Sequence, residues 1–279
     1  MRRLKPISLI VLAVAATLWL AACALLVANR AGLIYPFRPG VDASRVVGIP
    51  GARAVMIRAT DGSQLITWVV PPTRTDVVVL FFMGNAGHLP ANGARIAELV
   101  HQGHGVVALN YRGAGGAGGE PSERALTADA IALYDQLDAL IGQTVPAAHR
   151  IVYGTSLGAA VAVQLAANRP SAGVILGAPF AQLCETGAYH YPLIPVCWIL
   201  PDNRWNSIGV IGQINAPLLV LHGEKDTVIP ISQAERLFAA ASEPKSFIRY
   251  PEGRHSDLRL YGSGIAVNDW IDRVILKTE

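Results

Sequence analysis

The sequence predicts a single α/β domain with a mostly parallel central sheet, preceded by one transmembrane helix. Three observations carry this reading. Short β-branched runs alternate with longer helix-forming runs from residue 53 to the C-terminus. Two of these runs, DVVVLFFM (76–83) and RIVYG (150–154), are continuously apolar or nearly so, as strands buried on both faces of a parallel sheet are. The stretch from Ile7 to Ala28 carries no charge and is long enough to cross a bilayer as a helix.

Composition sets the bounds. A chain of 279 residues with 52% hydrophobic and 15% charged residues can bury a full core and is not disordered. A net charge of +3 without a Lys/Arg-rich run excludes nucleic acid as an expected partner. The apolar run follows Arg2, Arg3 and Lys5, a flank that favours a cytoplasmic N-terminus and a domain on the far, periplasmic side. Arg30, Arg38 and Arg45 beyond the run temper that asymmetry. Leu20-Ala21-Ala22-Cys23 also fits a lipoprotein processing site, and an ordinary cleaved signal is a third reading; the apolar residues continuing past Cys23 favour a retained anchor. The domain plan is an anchor or signal over 1–28, a Pro/Gly-punctuated linker over 29–50 that docks onto the domain, and the α/β domain over 51–279.

Within the domain, Arg53–Arg58 and Gln64–Val70 read as a hairpin joined through Asp61-Gly62. Strands follow at 76–83, 105–110, 150–154, 173–178, 217–222 and 246–250. Helices are expected at 91–102, 125–141, 156–168, 232–241 and 265–276. Residues 180–213 do not fit the alternation. This long connection between the sixth and seventh strands holds Tyr189, Tyr191, Trp198 and Trp205 among prolines. It reads as a short cap over the strand ends, where ligands bind in such sheets, or as a packing loop. Cys184 and Cys197 lie inside it and are either a disulfide, worth about 3 kcal/mol in the chain-entropy model, or two buried thiols.

Chemistry enters at Gly154-Thr155-Ser156-Leu157-Gly158, a G-x-S-x-G sequence between a strand and a helix. That context places a serine on a sharp turn with its oxygen exposed, and the glycines on either side admit the close backbone approach. A serine nucleophile needs a histidine base and a carboxylate to orient it, in the chain order Ser, acid, His. After Ser156 the histidines are His190, His222 and His255. His255 follows the last strand, whereas His222 ends a buried strand and His190 lies in the aromatic insertion, so His255 is the expected base. Asp226, in the turn after the seventh strand, is the expected acid, with Glu224 and Asp257 as competitors. The oxyanion hole is expected from the backbone amides of Leu157 and Asn85, with Ala86 as the alternative to Asn85. Gly113–Gly118 fits G-x-G-x-x-G literally, yet Glu120-Pro121-Ser122 separates it from the next helix, so it does not open that helix as a dinucleotide site requires. The cysteines lack C-x-x-C spacing, and no P-loop or His-Glu-x-x-His sequence occurs. No cofactor and no metal are expected.

With those residues in hand, the chain resembles the α/β-hydrolase superfamily, and more narrowly the membrane-anchored α/β hydrolase domain-containing serine hydrolases with bacterial members. The matching stretches are MGNAG (83–87), NYRGAGGAGGEPSE (110–123), GTSLG (154–158), YPLIPV (191–196), PLLVLHGEKDTVIP (217–230), LFAAASEPKSF (237–247) and PEGRHSDL (251–258). The resemblance implies a catalytic triad of Ser156, Asp226 and His255, and a structural role for the Tyr111-Arg112-Gly113 loop. It implies hydrolysis of an ester or thioester of a small-molecule or acylated substrate. A peptidase of the same chemistry and a silent hydrolase fold used as a membrane-attached binding module are the alternatives. One position departs from the family: its loop usually begins His-Gly-Asn-Ala-Gly, and here Met83 replaces the histidine, whose side chain is thought to support the loop.

Overall fold

The computed structural model describes residues 6–37, 42–85, 88–200 and 202–277. Arg2, Arg3, Lys5, Arg38, Ala86 and Gly87, named above, lie outside them. Eight strands form one sheet in the order β1-β2-β4-β3-β5-β6-β7-β8. The strands are β1 (Arg53–Arg58), β2 (Gln64–Val70), β3 (Val78–Phe82), β4 (Gly105–Asn110), β5 (Arg150–Thr155), β6 (Gly173–Gly177), β7 (Leu218–Gly223) and β8 (Lys245–Tyr250). The first two pair antiparallel with each other and β2 pairs antiparallel with β4; every later pairing is parallel. This is the α/β-hydrolase fold. β3, β4, β6 and β7 are buried along their whole length, which is why their sequences show no alternation.

The helices are α1 (Pro6–Ile34), α2 (Gly93–His101), α3 (Glu123–Asp135), α4 (Leu137–Ile141), α5 (Leu157–Asn168), α6 (Leu183–His190), α7 (Val196–Ile199), α8 (Ile231–Ala240) and α9 (Ser263–Trp270). Three differ from expectation for identifiable reasons. The helix expected over 91–102 begins as a 3-10 turn, Leu89–Asn92, whose start is fixed by the His88 side chain accepting from the Ala91 amide. The helix expected over 125–141 is two helices broken at Gln136. There the Arg150 guanidinium takes the Tyr134 carbonyl at 3.0 Å and Asp138 at 2.8 Å, and stacks on the Tyr134 ring at 4.4 Å. The third is α1, which runs six residues beyond Ala28 into the expected linker, to Ile34. By length and composition it is able to cross a membrane.

Between α1 and β1, among the described residues, Tyr35, Ala43 and Ile49 are buried against the domain, and the Trp68 indole donates to the Ala43 carbonyl at 2.7 Å. The insertion between β6 and β7 folds as α6 and α7, and Cys184 and Cys197 join them by a disulfide. On the other side of the sheet end, Arg112 is buried between Asp129, held by two hydrogen bonds of 2.7 and 2.6 Å, and the half-exposed Asp61. Removing one partner of a buried pair strands the other charge. Asp129→Ala is expected to lower the unfolding free energy by about 3 kcal/mol, read as a shifted midpoint in guanidinium unfolding of the full chain.

Candidate active site

Ser156 sits between β5 and α5 with φ 54° and ψ −120°, a conformation that non-glycine residues adopt only under constraint. The constraint is visible in its neighbours. A Cβ at Gly154 would lie 1.9 Å from the Gly158 carbonyl oxygen, and one at Gly158 would lie 2.1 Å from the Phe82 oxygen. The turn therefore closes only with glycine at both places. The Ser156 amide donates to the Gly177 carbonyl at 2.8 Å, fixing the turn to the end of β6.

His255 reaches Ser156 from the loop after β8. Its Nε2 lies 3.0 Å from Ser156 Oγ, and its Nδ1 lies 2.8 Å from Asp226 Oδ2. An ionised carboxylate only accepts, so Nδ1 carries the proton and Nε2 faces the serine as an acceptor. Two loops make this meeting possible. A Cβ at Gly223 would lie 2.2 Å from the Gly253 oxygen, so the loops after β7 and β8 touch backbone to backbone. The Lys225 amide donates to Gly253 O at 3.0 Å and the Glu224 amide to Tyr250 O at 2.9 Å across the same contact.

Asp226 is fixed from its other side. Oδ1 accepts from the Val228 and Ile229 amides, both at 2.8 Å, and the side chain is fully buried. Burial alone would raise its pKa; the hydrogen bonds from His255 and the Ile229 amide, together with the interaction with the His255 and His222 rings, outweigh that, and the net shift is downward. Glu224 is exposed, and Asp257 Oδ1 accepts from the Arg254 amide at 2.6 Å. The His255 ring nitrogen bonds to Asp226.

His222, at the end of β7, lies directly behind Asp226, a placement that the strand position alone does not show. Its Nε2 donates to the Ile229 carbonyl at 2.9 Å and lies 3.4 Å from Asp226 Oδ2. Burial lowers its pKa. A histidine four positions before the acid, at the end of its own strand, was the available signal. His190 bonds the Val228 carbonyl at 2.8 Å and so ties the insertion to the acid loop.

Opposite Ser156, a Cβ at Gly84 would lie 3.3 Å from the Ser156 Cβ, so the loop after β3 passes close over that residue. As the first residue of α5, Leu157 has an amide with no carbonyl inside the helix to receive it. Asn85 is part-buried, and its side chain donates to the Ile34 carbonyl at 3.2 Å, at the end of α1. Met83 is buried, and its carbonyl accepts from the Tyr111 hydroxyl at 2.8 Å. The loop that lacks the family's histidine is thus braced through its backbone by the Tyr111-Arg112-Gly113 loop.

Two cavities meet at Ser156 and Asn85. One, of about 320 Å3, carries the polar side chains of Asn92, Arg95, Ser256 and Arg259 among apolar ones. The other, of about 260 Å3, is mainly apolar and lies between α1 and the insertion. No Asp or Glu lines either among the described residues. No group of three or more His, Cys, Asp or Glu side chains is placed to hold a metal among those residues.

A strained serine at a strand-to-helix turn, bonded to a histidine that is bonded to a buried carboxylate, is the arrangement of an α/β hydrolase. The chain belongs to the family described as Serine aminopeptidase, S33, whose sequence profile matches residues 73–200 and 210–259. It is 39% identical over 249 residues to an uncharacterized protein of Mycobacterium tuberculosis, an alignment covering 88% of this chain and 87% of that one. It is 32% identical over 191 residues to the lysophosphatidylserine lipase ABHD12 of Danio rerio, covering 61% of this chain and 48% of that one. The fold matches the Pyrococcus furiosus esterase Pf2001 with a TM-score of 0.68 at 18% identity, covering 86% of this chain and 99% of that one.

Proposed function

We propose that this α/β hydrolase is a serine hydrolase that cleaves a carboxylic ester or thioester through an acyl-serine intermediate. Ser156 Oγ attacks the carbonyl carbon while His255 Nε2 takes its proton, and Asp226 holds the imidazolium that forms. The amides of Asn85 and Leu157 receive the negative charge on the carbonyl oxygen. The tetrahedral adduct collapses, the acyl carbon–leaving group bond breaks, and His255 returns the proton to the departing alcohol or thiol. Water then repeats the sequence on the acyl-serine and releases the acid. The observation that carries this reading is the continuous contact from Ser156 Oγ through His255 to Asp226, at 3.0 and 2.8 Å.

The absence of a carboxylate along either cavity, among the described residues, favours an ester over an aminopeptidase substrate, whose free ammonium would need an anionic partner. The complete Ser-His-Asp contact argues against a silent binding module. We read residues 1–28 as a retained anchor, 29–50 as the connection and 51–279 as the hydrolase domain, held on the extracytoplasmic side. The basic N-terminal flank and the disulfide within the insertion support that side.

Labelling with a fluorophosphonate probe tests the reading: wild type should be modified at Ser156 and Ser156→Ala should not. Folded wild-type protein that resists the probe would sink the proposal. Tyr111→Phe removes the brace on Met83 and is expected to lower kcat about fivefold with KM nearly unchanged, the size of one lost hydrogen bond. Steady-state hydrolysis of p-nitrophenyl butyrate measures both.

A further inference from the structure

The apolar cavity at Ser156 has two walls of different origin. One is the insertion, through Phe180, Leu183, Val196 and Ile199; the other is α1, through Leu26, Leu33 and Ile34. The helix does not merely pass nearby. Cys23, Leu26, Val27, Arg30 and Ile34 are its partly or fully covered positions, and their spacing puts them on one helix face. Its C-terminal carbonyl at Ile34 is bonded by Asn85, and the next residue, Tyr35, is buried and bonds Asn203 at 2.7 Å and the Trp205 indole at 3.0 Å. Further up the helix, the Trp19 indole donates to the Leu193 carbonyl of the insertion at 2.7 Å.

The placement along α1 matters as much as the contact. Leu26 belongs to the uncharged run that ends at Ala28, whereas Leu33 and Ile34 lie beyond it and beyond Arg30. The cavity therefore spans roughly 12 Å of helix across the level where the apolar run ends. Leu193 and Trp198 of the insertion are 82% and 86% exposed, and Tyr189 and Tyr191 are also exposed. Such a cluster of large apolar side chains beside a membrane-spanning helix is suited to the lipid boundary.

We propose that α1 is a substrate-binding element as well as a tether: it forms one wall of the acyl site, and a long acyl chain reaches Ser156 from the lipid leaflet along it. Leu26 and Leu33 are then residues that set acyl-chain preference. The inference rests on the serine-esterase reading above. It goes further in assigning part of the site to a segment that the hydrolase core does not contain.

The test uses the full chain in nanodiscs and p-nitrophenyl esters from butyrate to decanoate. Wild-type kcat/KM should rise about fourfold per added methylene until the cavity is filled. Leu26→Trp, which occupies the cavity, should lower the decanoate-to-butyrate ratio of kcat/KM at least tenfold; Leu33→Trp should act in the same direction. Leu25→Trp, on an exposed position of the same helix, should leave the ratio as in wild type. A ratio unchanged in Leu26→Trp and Leu33→Trp, or lowered equally in Leu25→Trp, overturns the proposal. A second measurement does not depend on turnover. In the Ser156→Ala background, cis-parinaric acid should bind with fluorescence enhancement, and Leu26→Trp should weaken that binding at least tenfold; equal affinity in the two proteins overturns the proposal. Loss of the hydrolase reading would appear separately, as wild type that fails to react with fluorophosphonate.

Discussion

Replacing Ser156 with alanine is expected to lower kcat for p-nitrophenyl butyrate by roughly four to six orders of magnitude, leaving a trace above the uncatalysed rate. The size follows from the proposed chemistry: without Oγ no acyl-enzyme forms, and only the oxyanion donors and substrate binding remain. KM should change little, because Oγ contributes to bond making rather than to holding the ester. A companion variant separates chemistry from fold. Ser156 holds a conformation at φ 54° that costs a side-chain-bearing residue on the order of 1–3 kcal/mol. Ser156→Gly should be as inactive as Ser156→Ala, yet more resistant to denaturant than wild type by about 1 kcal/mol, once the greater freedom of glycine in the unfolded chain is subtracted. A Ser156→Ala protein retaining more than a hundredth of wild-type kcat would mean that another nucleophile carries the reaction.

Asp226→Asn is expected to cost about 10⁴-fold in kcat with the fold intact. The reason is geometric. Oδ1 of Asp226 accepts from two backbone amides, so an asparagine would turn its own oxygen to them and its NH2 toward His255 Nδ1. The ring would have to accept there, which moves its proton to Nε2, against Ser156 Oγ. A base that already carries the proton cannot take another from the serine. The same substitution predicts a change in acid stability. The folded pKa of Asp226 lies below its ordinary value, so ionisation favours the folded state, fully above the unfolded pKa near 4, and the gain is lost as pH falls through the folded value. Wild type should lose stability on acidification more steeply than Asp226→Asn below about pH 4, measured as the slope of Tm against pH.

Much of the site is local enough to be legible in the chain. The turn at Ser156 needs glycine at two fixed offsets, and the order of Ser156, Asp226 and His255 follows from where the strands end. Local signals also placed β1, β2 and β4 to the residue, since each is bounded by turn or loop residues on both sides. What escaped depends on contacts between distant segments. The break at Gln136 comes from Arg150, which is not a helix breaker and acts from the next strand. The continuation of α1 through Gly32 to Ile34 defies the cost of about 1 kcal/mol that glycine carries in a helix, because the helix end docks on Asn85 and its sequel on Trp205. The brace from Tyr111 to the Met83 carbonyl could not be anticipated from side-chain identity, since the group that accepts is backbone. His222 was visible as a strand residue, and its nearness to the acid became evident only when the turn after β7 folded back on it.

The touch between Gly223 and Gly253 has a thermodynamic consequence. Asp226 and His255 reside on separate loops, and two free loops would have to be ordered against each other before the pair could act together. Here the two backbones are in contact and the Glu224 and Lys225 amides bond across it, so much of the orientational entropy of bringing Asp226 to His255 is surrendered when the chain folds. In the proposed mechanism the pair then meets each substrate already aligned, and the barrier to reaction contains little of that ordering.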